Sequence, residues 1–487
     1  MRHPGPRPAP TCWELRRVAA PGALIGAASF DLWLRRRKPT LQVRQPRGVE
    51  LGRLARRKLE RGVEHPRDGW ALGHSEGGSV VTLSDWEMRH HTLVCGATGA
   101  GKTSVLLLLM EAVADRCPIV VVDFKASQVL RRAVAGVGGI VWTMNGSMRW
   151  DALRGDPTCL AGKLLAAEAY GPNAEVFKSS AARYLQWVGK ALEWSGEQRD
   201  PQRVADLLQP PQLQRKLRSL KASGAAPSDS AERVAHLAGQ LGQAEREGVS
   251  GFAARFGKVV ESVAEDALGA GKSALVLEDA VRARQVVLFS LDVAGYQDLA
   301  PKLGAWVLLD LVRVAGVLQY EGWGEDHTRA CYVVVDEFGA LGAEGRHVVH
   351  LLEQSREAGM ACVLASHGLA DLERISAVVV KQIVQNTGTH IVLRQSSAED
   401  ADAWARILGR EQREELSRWL DDGRDVGSGS ARWVRDFRVP PEDLMQLGPG
   451  DAIVQVGALG PNKPRLERLR LAQPKDLGAV VGQRETA

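Results

Sequence analysis

The chain has 487 residues, 45% of them hydrophobic, 25% charged and 5% aromatic, the proportions of a soluble globular protein with room for two or three domains. They exclude a disordered tail protein, a fibrous repeat and a multi-span membrane protein. The formal charge of +5 is segregated: residues 1–70 hold 16 Lys and Arg against 6 acids, a net +10, so the remaining 417 residues carry −5.

The basic leader contains an apolar stretch, Val18 to Leu34, interrupted by Pro21 and Asp31 and followed by Arg35, Arg36, Arg37 and Lys38. At 17 residues it is shorter than the roughly 20 that span a bilayer, and a basic run placed after it is the reverse of a signal peptide. Six cysteines (Cys12, Cys95, Cys117, Cys159, Cys331, Cys362) show no CxxC or Cys/His spacing, so neither a zinc site nor a disulfide framework is indicated and a reducing, cytoplasmic compartment fits best.

From Trp70 onward short β-branched runs alternate with longer helical ones, the pattern of an α/β fold with a mostly parallel sheet flanked by helices. Strands are expected at His91–Cys95, Pro118–Asp123, Gly139–Thr143, Gln285–Ser290, Cys331–Asp336, Ala361–Ser366 and His390–Arg394. Their near-continuous Val/Ile/Leu content predicts burial on both faces. Between the third and fourth lies a stretch of about 120 residues, Gly162 to Asp279, without a strand signal but with apolar residues at helical spacing, for example Tyr184, Trp187, Val188, Ala191 and Leu192. It is expected to be an all-helical insertion. Beyond Gly409 the reading is a helix at Glu411–Leu420, a Gly/Ser-rich loop at Gly427–Ser430, and closing strands at Asp451–Val456 and Leu466–Leu471.

Directly after the first of these strands comes Gly96-Ala-Thr-Gly-Ala-Gly-Lys102-Thr103, a complete GxxxxGK[ST] or Walker A pattern, followed by an apolar helix from Ser104. Glycines let a turn aim successive N–H groups at phosphate oxygens, and the helix N-terminus adds a favourable dipole. The expected nucleotide contacts are Gly96, Thr98, Gly99, Ala100, Gly101, Lys102, Thr103 and Ser104, with Lys102 on the β/γ-phosphates and the Thr103 hydroxyl on Mg²⁺. A plain glycine-rich turn is the bland alternative, and the strand–loop–helix frame weighs against it.

The run Val333-Val-Val-Asp336-Glu337 is an apolar strand ending in two carboxylates. Hydrolysis of a nucleoside triphosphate needs one acid to orient the hydrated metal and one to activate water, so Asp336 takes the metal role and Glu337 the base role. Downstream, Arg356 follows a helical run and His367 ends a strand. In ring ATPases an arginine reaches the neighbouring subunit's γ-phosphate and a polar strand-end residue senses it, which makes both residues candidates; an exposed helix Arg and a loop His are equally good readings. Asn386-Thr-Gly-Thr389, before the last sheet strand, reads as an ordinary Asn/Gly turn, with approach to nucleotide or DNA as the alternative. In the insertion, Leu213 to Lys221 carries Arg215, Lys216, Arg218 and Lys221; the favoured reading is a solvated amphipathic helix with Leu213, Leu217 and Leu220 inward, and phosphate contact is the alternative.

Taken together, HHTLVCGATGAGKT, VVVDFK at Val120–Lys125, the turn Trp150-Asp-Ala-Leu153, VVVDEFGALG, EQSREAGMACVLASHGLADL and NTGTHIVLRQSSAEDA resemble the hexameric DNA-pumping ATPases of the FtsK/HerA class, and within them the TraD/TraG-like coupling proteins of type IV secretion and conjugation. The resemblance runs from about Trp70 to Val456. It implies a RecA-like P-loop NTPase domain (70–161 and 280–472), an all-α insertion (162–279) that receives DNA or relaxosome proteins, a leader (1–69) and a tail (473–487). It also implies ATP and Mg²⁺ as cofactors, DNA as cargo, a relaxase or secretion-channel proteins as partners, a homo-hexamer, and Arg356 as the trans-acting finger. His367 stands where the family usually has Gln, Asp151 where it has Asn, and Phe124 where it has Pro. In place of the two transmembrane helices of membrane-anchored members there is only Val18–Leu34, a reduced anchor or a peripheral docking element. The expected function is an ATP-driven DNA translocase; the alternatives are a protein-export ATPase and a non-catalytic, nucleotide-gated docking platform.

Overall fold

The computed structural model describes residues 63–168, 170–171, 174–325, 330–421, 424–457 and 464–475. The leader segment Val18–Leu34, its basic run and the end of the tail lie outside them. Eleven strands form one sheet, in the order β2 (Val80–Ser84), β1 (Gly69–Ser75), β13 (Arg465–Leu471), β12 (Asp451–Val456), β9 (Thr389–Val392), β3 (Thr92–Cys95), β8 (Met360–Ser366), β7 (Cys331–Asp336), β4 (Ile119–Asp123), β6 (Val286–Ser290) and β5 (Ile140–Thr143). From β9 to β5 the pairing is parallel throughout. β12, β13, β1 and β2 close the other side antiparallel.

The hydrophobic runs explain the burial. In β4, Val120 and Val122 enter the core on one face of the sheet and Ile119 and Val121 the core on the other, because successive strand side chains point to opposite faces. Every residue of β3, β4, β6, β7, β8 and β9 is buried. The expected parallel strands are found to within two residues. β1 and β2 were not anticipated; they form a hairpin around Glu76-Gly-Gly in which β1 is buried along nearly its whole length and only β2 alternates.

Between β5 and β6 the described residues form seven helices and no strand. They share one core with a face of the sheet: Phe256 packs on Trp306 at 6.1 Å between ring centroids, and Trp142, Trp150 and Phe289 cluster at 5.0–5.7 Å. In the helix Pro210–Ala222, Leu213, Leu217 and Leu220 are buried, Lys216 pairs with Glu197, and Lys221 pairs with Glu232 at 2.6 Å. Arg215 and Arg218 are left exposed. Helix Leu299–Tyr320, with a mean hydropathy of 1.4, is the one described helix long and apolar enough to cross a membrane, yet it is largely buried against the sheet and the insertion.

The helix expected at Glu411–Leu420 is a strand. β10 (Arg410–Asp421) pairs antiparallel with β11 (Arg424–Phe437), which takes in the expected Gly427–Ser430 loop. Leu416 and Leu420 have helical spacing, but the partner strand supplies non-local hydrogen bonds that outweigh a local pattern carried by two leucines.

Candidate active site

The carboxyl ends of the parallel strands form the site, the edge where ligands bind in open α/β sheets. β3 ends at Cys95 and the loop Gly96–Gly101 turns directly into the helix Lys102–Val113. Three glycines are required there, Gly99 among them at φ +76°. Gly101 sits at φ +120°, and a Cβ on Gly96 would lie 2.5 Å from Leu393 Cβ. The Ala100 carbonyl accepts from Gly450 N–H at 3.0 Å, so the β12–β13 side supports the loop from behind. Lys102 folds back under it and donates from Nζ to the Gly96 carbonyl at 2.6 Å, and burial lowers its pKa.

β4 and β7 are neighbours in a register that pairs Asp123 with Asp336. Two carboxylates therefore lie side by side at buried strand ends. Asp123 is satisfied by the N–H groups of Lys125 (2.9 Å) and Ser127 (2.6 Å). Asp336 is not: its Oδ1 is buried and accepts no hydrogen bond, and burial, reinforced by Asp123, pushes its pKa up to about 6. An orphaned buried carboxylate oxygen beside a phosphate loop fits a cation ligand. Among the described residues there is no group of three or more His, Cys, Asp and Glu able to hold a metal.

Glu337, the next residue, has φ +58° and ψ +42°, a left-handed conformation that costs a non-glycine residue about a kcal/mol or more. The strain turns its side chain back toward the loop. There Oε2 meets Lys125 Nζ at 2.5 Å and Oε1 meets His367 Nε2 at 2.8 Å. His367 Nδ1 lies 2.9 Å from Lys102 Nζ. A lysine ammonium can only donate, so Nδ1 accepts and the ring proton sits on Nε2, donated to Glu337. Burial, helped by Lys102 and Lys125, holds the His367 pKa below its usual value against the pull of Glu337. The neutral imidazole thus joins the phosphate-loop lysine to the acid. Lys125 and Asp123 belong to VVVDFK, which the sequence offered only as a carrier of the resemblance and gave no site role; the available signal was a second apolar strand ending in an acid as the Asp336 strand does.

Arg356 is elsewhere. It follows helix Arg346–Ser355, which returns the chain to the start of β8, so the guanidinium lies at the amino ends of the strands, opposite the phosphate loop. It is exposed and makes no ion pair among the described residues. With His90, His91, Leu352, Gln385 and Asn386 it lines a cleft of about 350 Å³. The Asn386–Thr389 turn therefore does not approach the phosphate loop of its own chain.

Residues 305–458 match the family described as the type IV secretion-system coupling protein DNA-binding domain. No curated protein sequence matches. Among solved structures, the bacterial conjugative coupling protein TrwBdeltaN70 in its unbound form superimposes with a TM-score of 0.61 at 15% identity, over 87% of this chain and 93% of that one. The plasmid coupling protein TrwB in complex with ADP and Mg²⁺ gives 0.57 at 17% identity, over 86% and 94%. VirB4 of Thermoanaerobacter pseudethanolicus gives 0.53 at 14%, over 84% and 98%. The chain has the RecA-like P-loop fold of these proteins, and in motifs, family match and architecture it is similar to the coupling proteins of type IV secretion systems.

Proposed function

We propose that the protein is an ATP-hydrolysing, homo-hexameric motor that moves DNA for a conjugation or type IV secretion system. The observation that carries this reading is the constellation at one sheet edge: a glycine loop, a buried unsatisfied Asp336, and Glu337 linked through His367 to Lys102. The TrwB complex with ADP and Mg²⁺ supports the same ligands here, and the DNA-binding-domain match over 305–458 supports DNA as cargo.

Loop N–H groups and Lys102 would hold the phosphates, and Thr103 and Asp336 the Mg²⁺, which when bound neutralises charge developing on the γ-phosphoryl group. Glu337 orients water and takes its proton at a carboxylate oxygen. Lys125 and His367 keep that carboxylate aimed. His367 is placed to register the phosphate state, because a γ-phosphate competes with Nδ1 for Lys102. Arg356, exposed at the far edge and without an ion pair among the described residues, is suited to a neighbouring copy's nucleotide, which is the argument for a ring. The net +10 leader suits an anionic membrane face.

The test is ATPase turnover with and without single- and double-stranded DNA, measured alongside particle mass. Stimulation by DNA and a mass near six subunits are expected. Absent hydrolysis, or hydrolysis indifferent to both DNAs, rejects the translocase; stimulation by protein alone selects protein export.

A further inference from the structure

The residue preceding β3, His91, is 2% exposed and has φ +61°, an uncommon conformation for histidine. Both ring nitrogens are used. Nδ1 accepts from the Cys362 N–H of β8 at 3.0 Å, which places the ring proton on Nε2, and Nε2 donates to the Leu352 carbonyl at 3.1 Å. Leu352 lies in the last turn of Arg346–Ser355, where carbonyls have no partner within the helix. The imidazole therefore closes the end of the helix from which Arg356 emerges. Backbone bonds lock the same corner: Thr389 N–H donates to the His91 carbonyl at 3.2 Å and Gly388 N–H to that of His90 at 2.7 Å. Four residues of fully buried β3 separate His91 from Gly96, the first residue of the phosphate loop.

We propose that His91 is a positioning residue for Arg356. It ties the end of the arginine's helix to the strand that runs into the same chain's phosphate loop, so a shift of that loop along β3 is felt by the arginine presented to the neighbouring copy. This rests on reading Arg356 as an arginine that acts on a neighbour's nucleotide. No other side chain hydrogen-bonds the Leu352 carbonyl among the described residues, so nothing replaces the imidazole.

Two substitutions split the histidine's two bonds. In His91→Asn the amide oxygen takes the place of Nδ1 and the residue tolerates the left-handed backbone, but nothing reaches Leu352. In His91→Gln an amide nitrogen reaches the Nε2 position and donates to Leu352, while the left-handed backbone is unfavourable. If His91 acts through Arg356, stability and turnover move in opposite orders. His91→Asn is expected to be the more stable protein with kcat reduced at least tenfold at unchanged KM. His91→Gln is expected to melt lower and recover severalfold of that kcat. His91→Asn combined with Arg356→Ala is expected to turn over no more slowly than Arg356→Ala alone. Turnover that simply follows stability, or losses that multiply in the double variant, overturns the positioning role. Full turnover in Arg356→Ala instead overturns the arginine reading, and the positioning proposal falls with it, so the two failures are told apart.

Discussion

At the residue scale, Glu337 is held by a strained backbone and two nitrogen partners, a cost that a solvated strand-end acid would not carry. Glu337→Gln is expected to leave ATP bound while turnover falls at least about 100-fold, the usual share of a general base. Lys102→Ala is expected to lose ATP binding itself; equilibrium binding of a fluorescent ATP analogue separates the two. Retained turnover in Glu337→Gln rejects the base assignment. His91 supplies a pH test of a different kind, since burial lowers its pKa from 6.5 to about 4. Between those values the unfolded chain binds a proton that the native ring refuses, so native stability falls as pH drops through that window. The loss approaches about 3 kcal/mol near pH 4. Urea unfolding at pH 7 and pH 4.5 is expected to show it, with a shallower dependence in His91→Asn; an unchanged dependence contradicts the assignment.

Among the elements, the β10–β11 ribbon is the least integrated. Its side-chain contacts include the ion pairs Arg413–Glu411 and Arg432–Glu415 at 2.7 Å and Arg413–Asp436 at 3.8 Å, and Arg410 stacked 4.5 Å above Phe437, which packs on the core at the ribbon's base. Exposed pairs of this sort are worth little. Arg410 and Phe437 face each other across the ribbon, and Arg438 N–H donates to the Gly409 carbonyl at 3.0 Å, so the base is closed without the rest. Replacing 411–436 by a short Gly-Ser turn is expected to leave the melting temperature within about 2 °C. A large drop by calorimetry means the ribbon carries core stability after all. The same ribbon shows why its secondary structure was illegible. The described side chains of the ribbon, at 410–415 and 431–437, are exposed or half-buried, so there is no strict alternation to read there, and pairing across a turn is invisible to local spacing.

Across the whole molecule, the seam between helical insertion and sheet is both apolar and ionic. Lys163, 2% exposed at its side chain, pairs with the 1% exposed Asp310 at 3.1 Å, and Arg313 Nε joins the same carboxylate oxygen at 3.0 Å. Losing Asp310 strands a buried ammonium; losing Lys163 leaves Asp310 with Arg313. Asp310→Ala is therefore expected to cost about 3–5 kcal/mol in urea unfolding, and Lys163→Met clearly less. Equal losses contradict that asymmetry. Lys302 and Arg255 add a second tie by sharing Glu168 at 2.7 Å each. The insertion so fastened shares one core with the sheet face it covers, a face whose strands end in Asp123 and Asp336.

By itself the sequence determined the strands of the parallel sheet, the phosphate loop and the Asp336–Glu337 pair, because each is a local pattern: a β-branched run, a glycine spacing, two acids at a strand end. The tertiary structure alone decided which strands became neighbours, and the rest follows from that order. It set Asp123 beside Asp336, carried Lys125 from β4 to Glu337 after β7, brought His367 from β8 onto Lys102, and put Arg356 at the opposite edge beside His91. Each of these juxtapositions joins residues more than 200 positions apart, and only the sheet order and its parallel register bring them together.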